Sequence, residues 1–162
     1  MSRLDPTIKK IELNDDTSIA YILTLQKLSY AREAQIIGYS NIPPLFDTQQ
    51  TIRQSNEQFT GLYLGNELVG LISTRLAERE LEICRLVVHP RHMGRNYATR
   101  LLYHIEVAQP QAKRIIVSTA ENNDPALALY KKNGYKQSGK RVTSDGLELV
   151  MLEKIPSERT AI

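Results

Sequence analysis

The sequence predicts a mixed α+β domain whose elements follow the order β-α-α-β-β-β-α-β-α-β-β. Three observations carry that reading. Apolar residues recur at helical spacing in two long stretches, beginning at Ile19 and at Arg95. Between them lie three half-alternating runs in succession, the pattern of a strand meander. A short β-branched run at residues 114–119 follows the second helix and makes one β-helix-β crossover. With 162 residues, 41% of them hydrophobic, the chain can bury the core of one domain.

Ile8, Ile11 and Leu13 mark a first extended segment, and Asn14, Asp15, Asp16 and Thr17 offer oxygens to cap a helix start. Ile19, Ile22, Leu23, Leu25, Leu28, Ala31 and Ile36 then recur nearer to a period of 3.6 than of 2, without proline. A long amphipathic helix ending near Gly38 is expected. Pro43-Pro44 forbids regular helix through Ile42, so the NIPPL segment should be a loop. Asp47 or Thr48 can cap a second helix reaching about Glu57. Residues 59–64 and 68–76 flank Gly65-Asn66-Glu67, which has hairpin chemistry, and residues 81–88 follow the polar Glu78-Arg79-Glu80 turn.

After Pro90, residues 95–108 carry Ala98, Leu101, Leu102 and Ile105 at i, i+3, i+4, i+7, with Pro110 just beyond as a stop. Following the strand at residues 114–119, Asp124-Pro125 reads as an N-cap with proline at the first helical position, and Asn133-Gly134 closes that helix. Two last strands, residues 135–142 and 147–154, flank an Asp145-Gly146 turn. Only the last seven residues or so should fray.

Composition removes several function classes. Twenty-one Lys+Arg against 18 Asp+Glu leave a net charge of +3, spread along the chain without a basic block. With 6% aromatic residues, no Trp and no basic stripe interleaved with aromatics, a nucleic-acid module is not expected. The single cysteine, Cys84, can form neither an internal disulfide nor a thiolate metal cage, which suits a reducing compartment. The N-terminal MSRLDPTIKK lacks the apolar stretch of a signal peptide, and no apolar run approaches the roughly 20 residues that span a bilayer. A cytoplasmic protein without a membrane partner is expected.

The stretch LEICRLVVHPRHMGRNYATRLL runs from a strand through a tight loop straight into an amphipathic helix. A helix N-terminus presents unpaired N–H groups and partial positive charge, so this junction is an anion site. Gly94 lets the backbone approach a ligand, Asn96 tolerates a left-handed conformation, and Ala98 keeps the first turn slim. Arg91 and Arg95 add positive charge, so the local physics favours a phosphate or pyrophosphate.

This stretch resembles the GNAT superfamily of acyl-CoA-dependent N-acetyltransferases, whose motif runs strand, V-x-P, short turn, then Q/R-x-x-G-x-G/A opening a helix. Val88-His89-Pro90 and Ala98 match, and Gly94 keeps the glycine often found just after the Q/R, whereas Met93 and Asn96 stand where the motif has Q/R and its middle glycine. Downstream, ENNDPALALYKKNGYK is similar to the family's N-x-x-A-x-x-L-Y-x-K-x-G-F/Y, with Asn123, Ala126, Leu129, Tyr130, Lys132, Gly134 and Tyr135 in register.

The resemblance implies one acyl-CoA N-acyltransferase domain over residues 1–162, with a mostly antiparallel sheet and helices on both faces. It also implies that acetyl-CoA lies between splayed strands at residues 81–88 and 114–119. Leu86, Val87 and Val88 would pair with its pantetheine arm, a backbone N–H among them stabilising charge on the thioester oxygen. The turn Met93, Gly94, Arg95 and Asn96, with Tyr97, Ala98, Thr99 and the downstream Asn123, would complete the cofactor site.

Tyr130 occupies the family's general-acid position, and Glu82 the register of the catalytic glutamate in its histone-acetylating branch. Glu82 or a water chain would take the amine proton; Glu33, on the first helix, either helps bind the acceptor, since the first helices border the acceptor pocket in the family, or is a surface glutamate. The implied activity is direct transfer to a primary amine of unidentified structure. The other reading is an inactive acyl-CoA sensor or interaction module, motivated by Met93 and Asn96. Final strands in the family often pair across dimers, so a homodimer is possible on this resemblance.

His89 and His92 have no third partner nearby, so no metal is expected. Cys84 reads as a small core side chain. The G-x-x-x-x-G-K spelled by residues 134–140 lacks the following Ser/Thr and enters a strand, so it is no phosphate loop.

Overall fold

The computed structural model describes residues 5–156. The fraying expected of the last seven or so residues falls, apart from Pro156, outside them, as do the first four residues of the N-terminal stretch. The elements are β1 (Thr7–Ile11), α1 (Asp16–Ile37), α2 (Gln49–Arg53), β2 (Gln58–Leu64), β3 (Glu67–Ala77) and β4 (Glu80–Val88). Then come α3 (Tyr97–Ala108), β5 (Arg114–Ala120), α4 (Asp124–Lys132), β6 (Lys136–Val142) and β7 (Glu148–Lys154). Their order is the one the sequence predicts.

All seven strands form one sheet in the order β1-β2-β3-β4-β5-β7-β6. Every pairing is antiparallel except β4 with β5, which the crossover through α3 makes parallel. Helices cover both faces. On one, Ile19, Ile22 and Leu25 of α1 and Ile52 of α2 pack on Phe59, Leu71 and Val87. On the other, Leu101, Leu102 and Ile105 of α3 and Tyr130 of α4 pack on Leu81, Ile83, Ile115 and Leu152. Each fully buried Leu or Ile there contributes about 1.5–3 kcal/mol.

Several local expectations change. Leu28, Ala31 and Ile36, expected on the apolar stripe of α1, are exposed, and the inward positions go to Gln26 and Tyr30. The cause is an ion pair beneath the helix. Buried Arg85 bonds Glu57 at 3.0 Å, Gln26 at 3.0 Å and Asp47, and Gln26 also donates to the Pro44 carbonyl at 2.9 Å. The NIPPL loop contains a 3₁₀ turn, Pro43–Phe46. Thr48 caps α2 in a reciprocal box with Thr51, but the helix stops at Arg53. Asn56 turns left-handed at φ 60°, which sends Glu57 inward to Arg85 instead of continuing the helix.

At α4 the cap is Asn123, one residue earlier than expected, accepting from the Ala126 N–H at 3.3 Å. Asp124 and Pro125 are thereby the first two helical residues, where a carboxylate and a missing N–H are both favourable.

Candidate active site

The parallel β4–β5 ladder runs from Glu80↔Arg114 to Ile83↔Val117 and stops, although β4 continues to Val88 and β5 to Ala120. The separation begins at a bulge. Arg85 pairs with Ser73 and Ile83 with Thr74, so Cys84 is an extra residue that bends β4 away. Its effect shows in the faces. Leu81 and Ile83 point to the α3 side, whereas Val87 points to the α1 side.

The His89 N–H bonds the Val69 carbonyl at 2.8 Å, continuing the β3–β4 register. Alternation along an antiparallel ladder then assigns Val87 to β3 and directs the N–H groups of Leu86 and Val88 into the gap. The Ser29 hydroxyl of α1 donates to the Val88 carbonyl at 2.9 Å, so that helix borders the opening. A cleft of about 900 Å³ passes through the gap, lined by the ends of β4 and β5, the loop before α3, α4 and the C-terminal half of α1.

At its α3 end, Gly94 has φ 79° with open space where a Cβ would stand. Asn96, the N-cap of α3, is left-handed at φ 64° and its side chain makes no capping bond. The first intrahelical bond from this end is Arg100 N–H to the Asn96 carbonyl at 3.0 Å, which leaves the Tyr97, Ala98 and Thr99 N–H groups available to an anion. Asparagine tolerates the left-handed region better than other residues with a β-carbon, so Asn96 keeps a backbone shape usually given to glycine. Met93 is half exposed at the cleft edge. Arg95 does not line the cleft; its guanidinium lies 3.0 Å from His92 Nδ1.

At the other end, the Tyr130 ring is buried and packs edge-to-face on Tyr135 at 5.6 Å. Burial, reinforced by Glu33, pushes the Tyr130 hydroxyl well above its ordinary range, so it stays protonated. Tyr30 is also pushed up, by burial first and then by Glu33. Burial likewise raises the Glu33 carboxyl, against a hydrogen bond from Asn123 that lowers it. The Asn123 oxygen serves the α4 cap, leaving its amide for Glu33, so this side chain holds the site together from within the protein.

Glu82 stands elsewhere. It precedes the bulge, does not line the cleft, and pairs with Arg75 at 3.1 Å. Cys84 borders the cleft half-buried instead of sitting in the core, and burial raises its thiol to about 12, which leaves little thiolate. Motif reading did not single out Ser29, Tyr30 or Arg85. A signal existed in Gln26, Ser29, Tyr30 and Glu33, polar groups at i, i+3, i+4, i+7 on one side of α1.

The family description "Acetyltransferase (GNAT) family" matches residues 20–135, most of the chain. This chain belongs to that family. The UPF0157 protein YqkA of Bacillus subtilis (strain 168) is 33% identical over 155 residues, covering 96% of this chain. The match spans 45% of YqkA, so the chain corresponds to less than half of that curated relative. Among solved structures, the ribosomal-protein-S18-alanine N-acetyltransferase of Escherichia coli superposes with a TM-score of 0.74 at 15% identity, over 93% of this chain and 94% of that one. The PaiA N-acetyltransferase of Thermoplasma acidophilum, solved in complex with coenzyme A, gives 0.73 at 17% identity, over 94% and 99%. The α+β fold of the GNAT acetyltransferases is therefore the fold of this chain.

Proposed function

We propose that this chain is an acyl-CoA-dependent N-acetyltransferase that moves the acetyl group of acetyl-CoA to a primary amine in one direct step, as a single domain in the reducing cytoplasm. The observation that carries this reading is the gap between β4 and β5, which begins at Cys84 and exposes the Leu86 and Val88 amides beside Tyr130. The coenzyme A bound to the similarly folded Thermoplasma acidophilum N-acetyltransferase supports it.

The residues fit such a ligand. Gly94 with open space above it and the unpaired amides of Tyr97, Ala98 and Thr99 suit a pyrophosphate, and the open edge of β4 suits the amides of a pantetheine arm. Acetyl-CoA would supply an activated acetyl thioester. An amide of Leu86 or Val88 stabilises negative charge gathering on the thioester oxygen. Tyr130 holds its proton at neutral pH and donates it to the departing sulfur. No side-chain nucleophile is required, and the protonated Cys84 thiol suits none.

Calorimetric titration with acetyl-CoA and with CoA tests the reading without knowledge of the acceptor. Saturable binding at unit stoichiometry is expected. Failure of both to bind would refute it, and binding without transfer to any primary amine would make the domain an acyl-CoA sensor.

A further inference from the structure

An alkylammonium must lose a proton before its nitrogen can attack, since its ordinary pKa is near 10.4. Glu82 is outside the cleft and held by Arg75. The carboxyl that does enter the cleft beside Tyr130 is Glu33, one turn beyond Tyr30 on α1 and bonded by the Asn123 amide at the α4 cap. Tyr30, Ile37 and Ile42, members of one core cluster, give this part of the cleft an apolar wall. The other carboxylate lining it, Asp145, already accepts from the Tyr39 and Thr143 hydroxyls. Arg32 and Arg141 line the same cleft and have no ion-pair partner among the described residues.

We infer that Glu33 is the catalytic base that receives the acceptor's ammonium, and that the acceptor is a single primary amine on an apolar stem, not a polycation. The inference rests on the acetyltransferase reading above. One ammonium proton goes to Glu33 and on to solvent, the freed nitrogen forms the C–N bond, and the C–S bond breaks. The departing sulfur takes the Tyr130 proton, Tyr130 recovers one from the attacking nitrogen, and the third stays on the product amide. Further ammonium groups on a polyamine would meet Arg32 and Arg141, against which the cleft sets only Asp145, already engaged by two hydroxyls.

The groups facing Glu33 are Tyr30 on its own helix and Tyr130 with Asn123 from α4; Arg85 of β4 acts on Tyr30 while held by Glu57 and Asp47. The tyrosines are pushed up out of the working range, so Glu33 supplies the acid limb of the rate profile. Raised by burial, that limb lies higher than an ordinary glutamate would place it, and activity falls as pH drops through it.

The test compares wild type, Glu33→Gln and Glu33→Asp with acetyl-CoA as donor and phenethylamine as acceptor, and spermidine as polycation control. Wild type is expected to acetylate phenethylamine in preference to spermidine. Glu33→Gln should lose on the order of 100-fold in kcat/KM and lose the acid limb. Glu33→Asp should recover part of the rate. Calorimetry of phenethylamine into the protein–CoA complex should show roughly tenfold weaker binding to Glu33→Gln, about 1.4 kcal/mol, while CoA affinity stays within about twofold and certifies the fold. Retention of kcat/KM within about threefold, preference for spermidine, or no transfer to phenethylamine despite acetyl-CoA binding would overturn the inference and leave the proposed function standing. Absence of acetyl-CoA binding would remove both.

Discussion

The Tyr130 ring is packed against Tyr135 within the α3-side core, and its edge borders the cleft. Replacing the hydroxyl by hydrogen leaves that packing in place. Tyr130→Phe is therefore expected to lower turnover on the order of 100-fold while CoA affinity stays within about twofold, measured by steady-state kinetics and calorimetry. Unchanged turnover would reduce Tyr130 to a packing residue. Its place on α4 was legible in the motif N-x-x-A-x-x-L-Y, where spacing along one helix determines direction. The position of Glu82 was not legible. A one-residue bulge shifts every alternation after it, and nothing in the residue types around Cys84 announces the extra residue.

Among the elements, the loop before α3 depends on one left-handed residue. Asn96 holds φ 64° at the N-cap, and a β-carbon without a local polar group is disfavoured there by about 1–2 kcal/mol. Asn96→Ala should weaken CoA binding about fivefold to tenfold by calorimetry, whereas Asn96→Gly should keep or improve it. Equal affinity for all three would mean that the loop conformation does not shape the anion site. The helix periodicity of α3 was readable because Leu101, Leu102 and Ile105 all pack into the core. On α1 the same method misplaced Leu28, Ala31 and Ile36, because Gln26 and Tyr30 point inward to a polar network that no local pattern reveals.

Over the whole molecule, Arg85 joins β4, the 3₁₀ turn and the segment after α2 through Asp47 and Glu57. Removing one partner of a buried ion pair leaves charge uncompensated. Arg85→Ala is expected to destabilise the chain by about 3–5 kcal/mol in urea unfolding. A loss below about 1 kcal/mol would show that water replaces the guanidinium. Glu33 works in the opposite sense. Its carboxyl is raised in the folded chain, so the folded state binds more protons in the window between its unfolded and folded pKa, and stability falls as pH rises through it. Glu33→Gln should be at least as stable as wild type at pH 7 and should lack this part of the wild-type gain on acidification through that window. A variant clearly less stable at pH 7 would make Glu33 a structural residue.

Periodicity and turn chemistry by themselves determined the element order, the meander, the crossover and the loop before α3, because each strand, helix and turn is signalled by residues close to one another in the chain. Tertiary structure alone decided which carboxyl enters the cleft. Glu33, Asn123 and Tyr130 come together only when α1 and α4 meet at the point where β4 and β5 part, and that point is set by the bulge and by the buried Arg85 network. Burial and opposite charge from distant segments create those positions, and neither is a property of any segment alone.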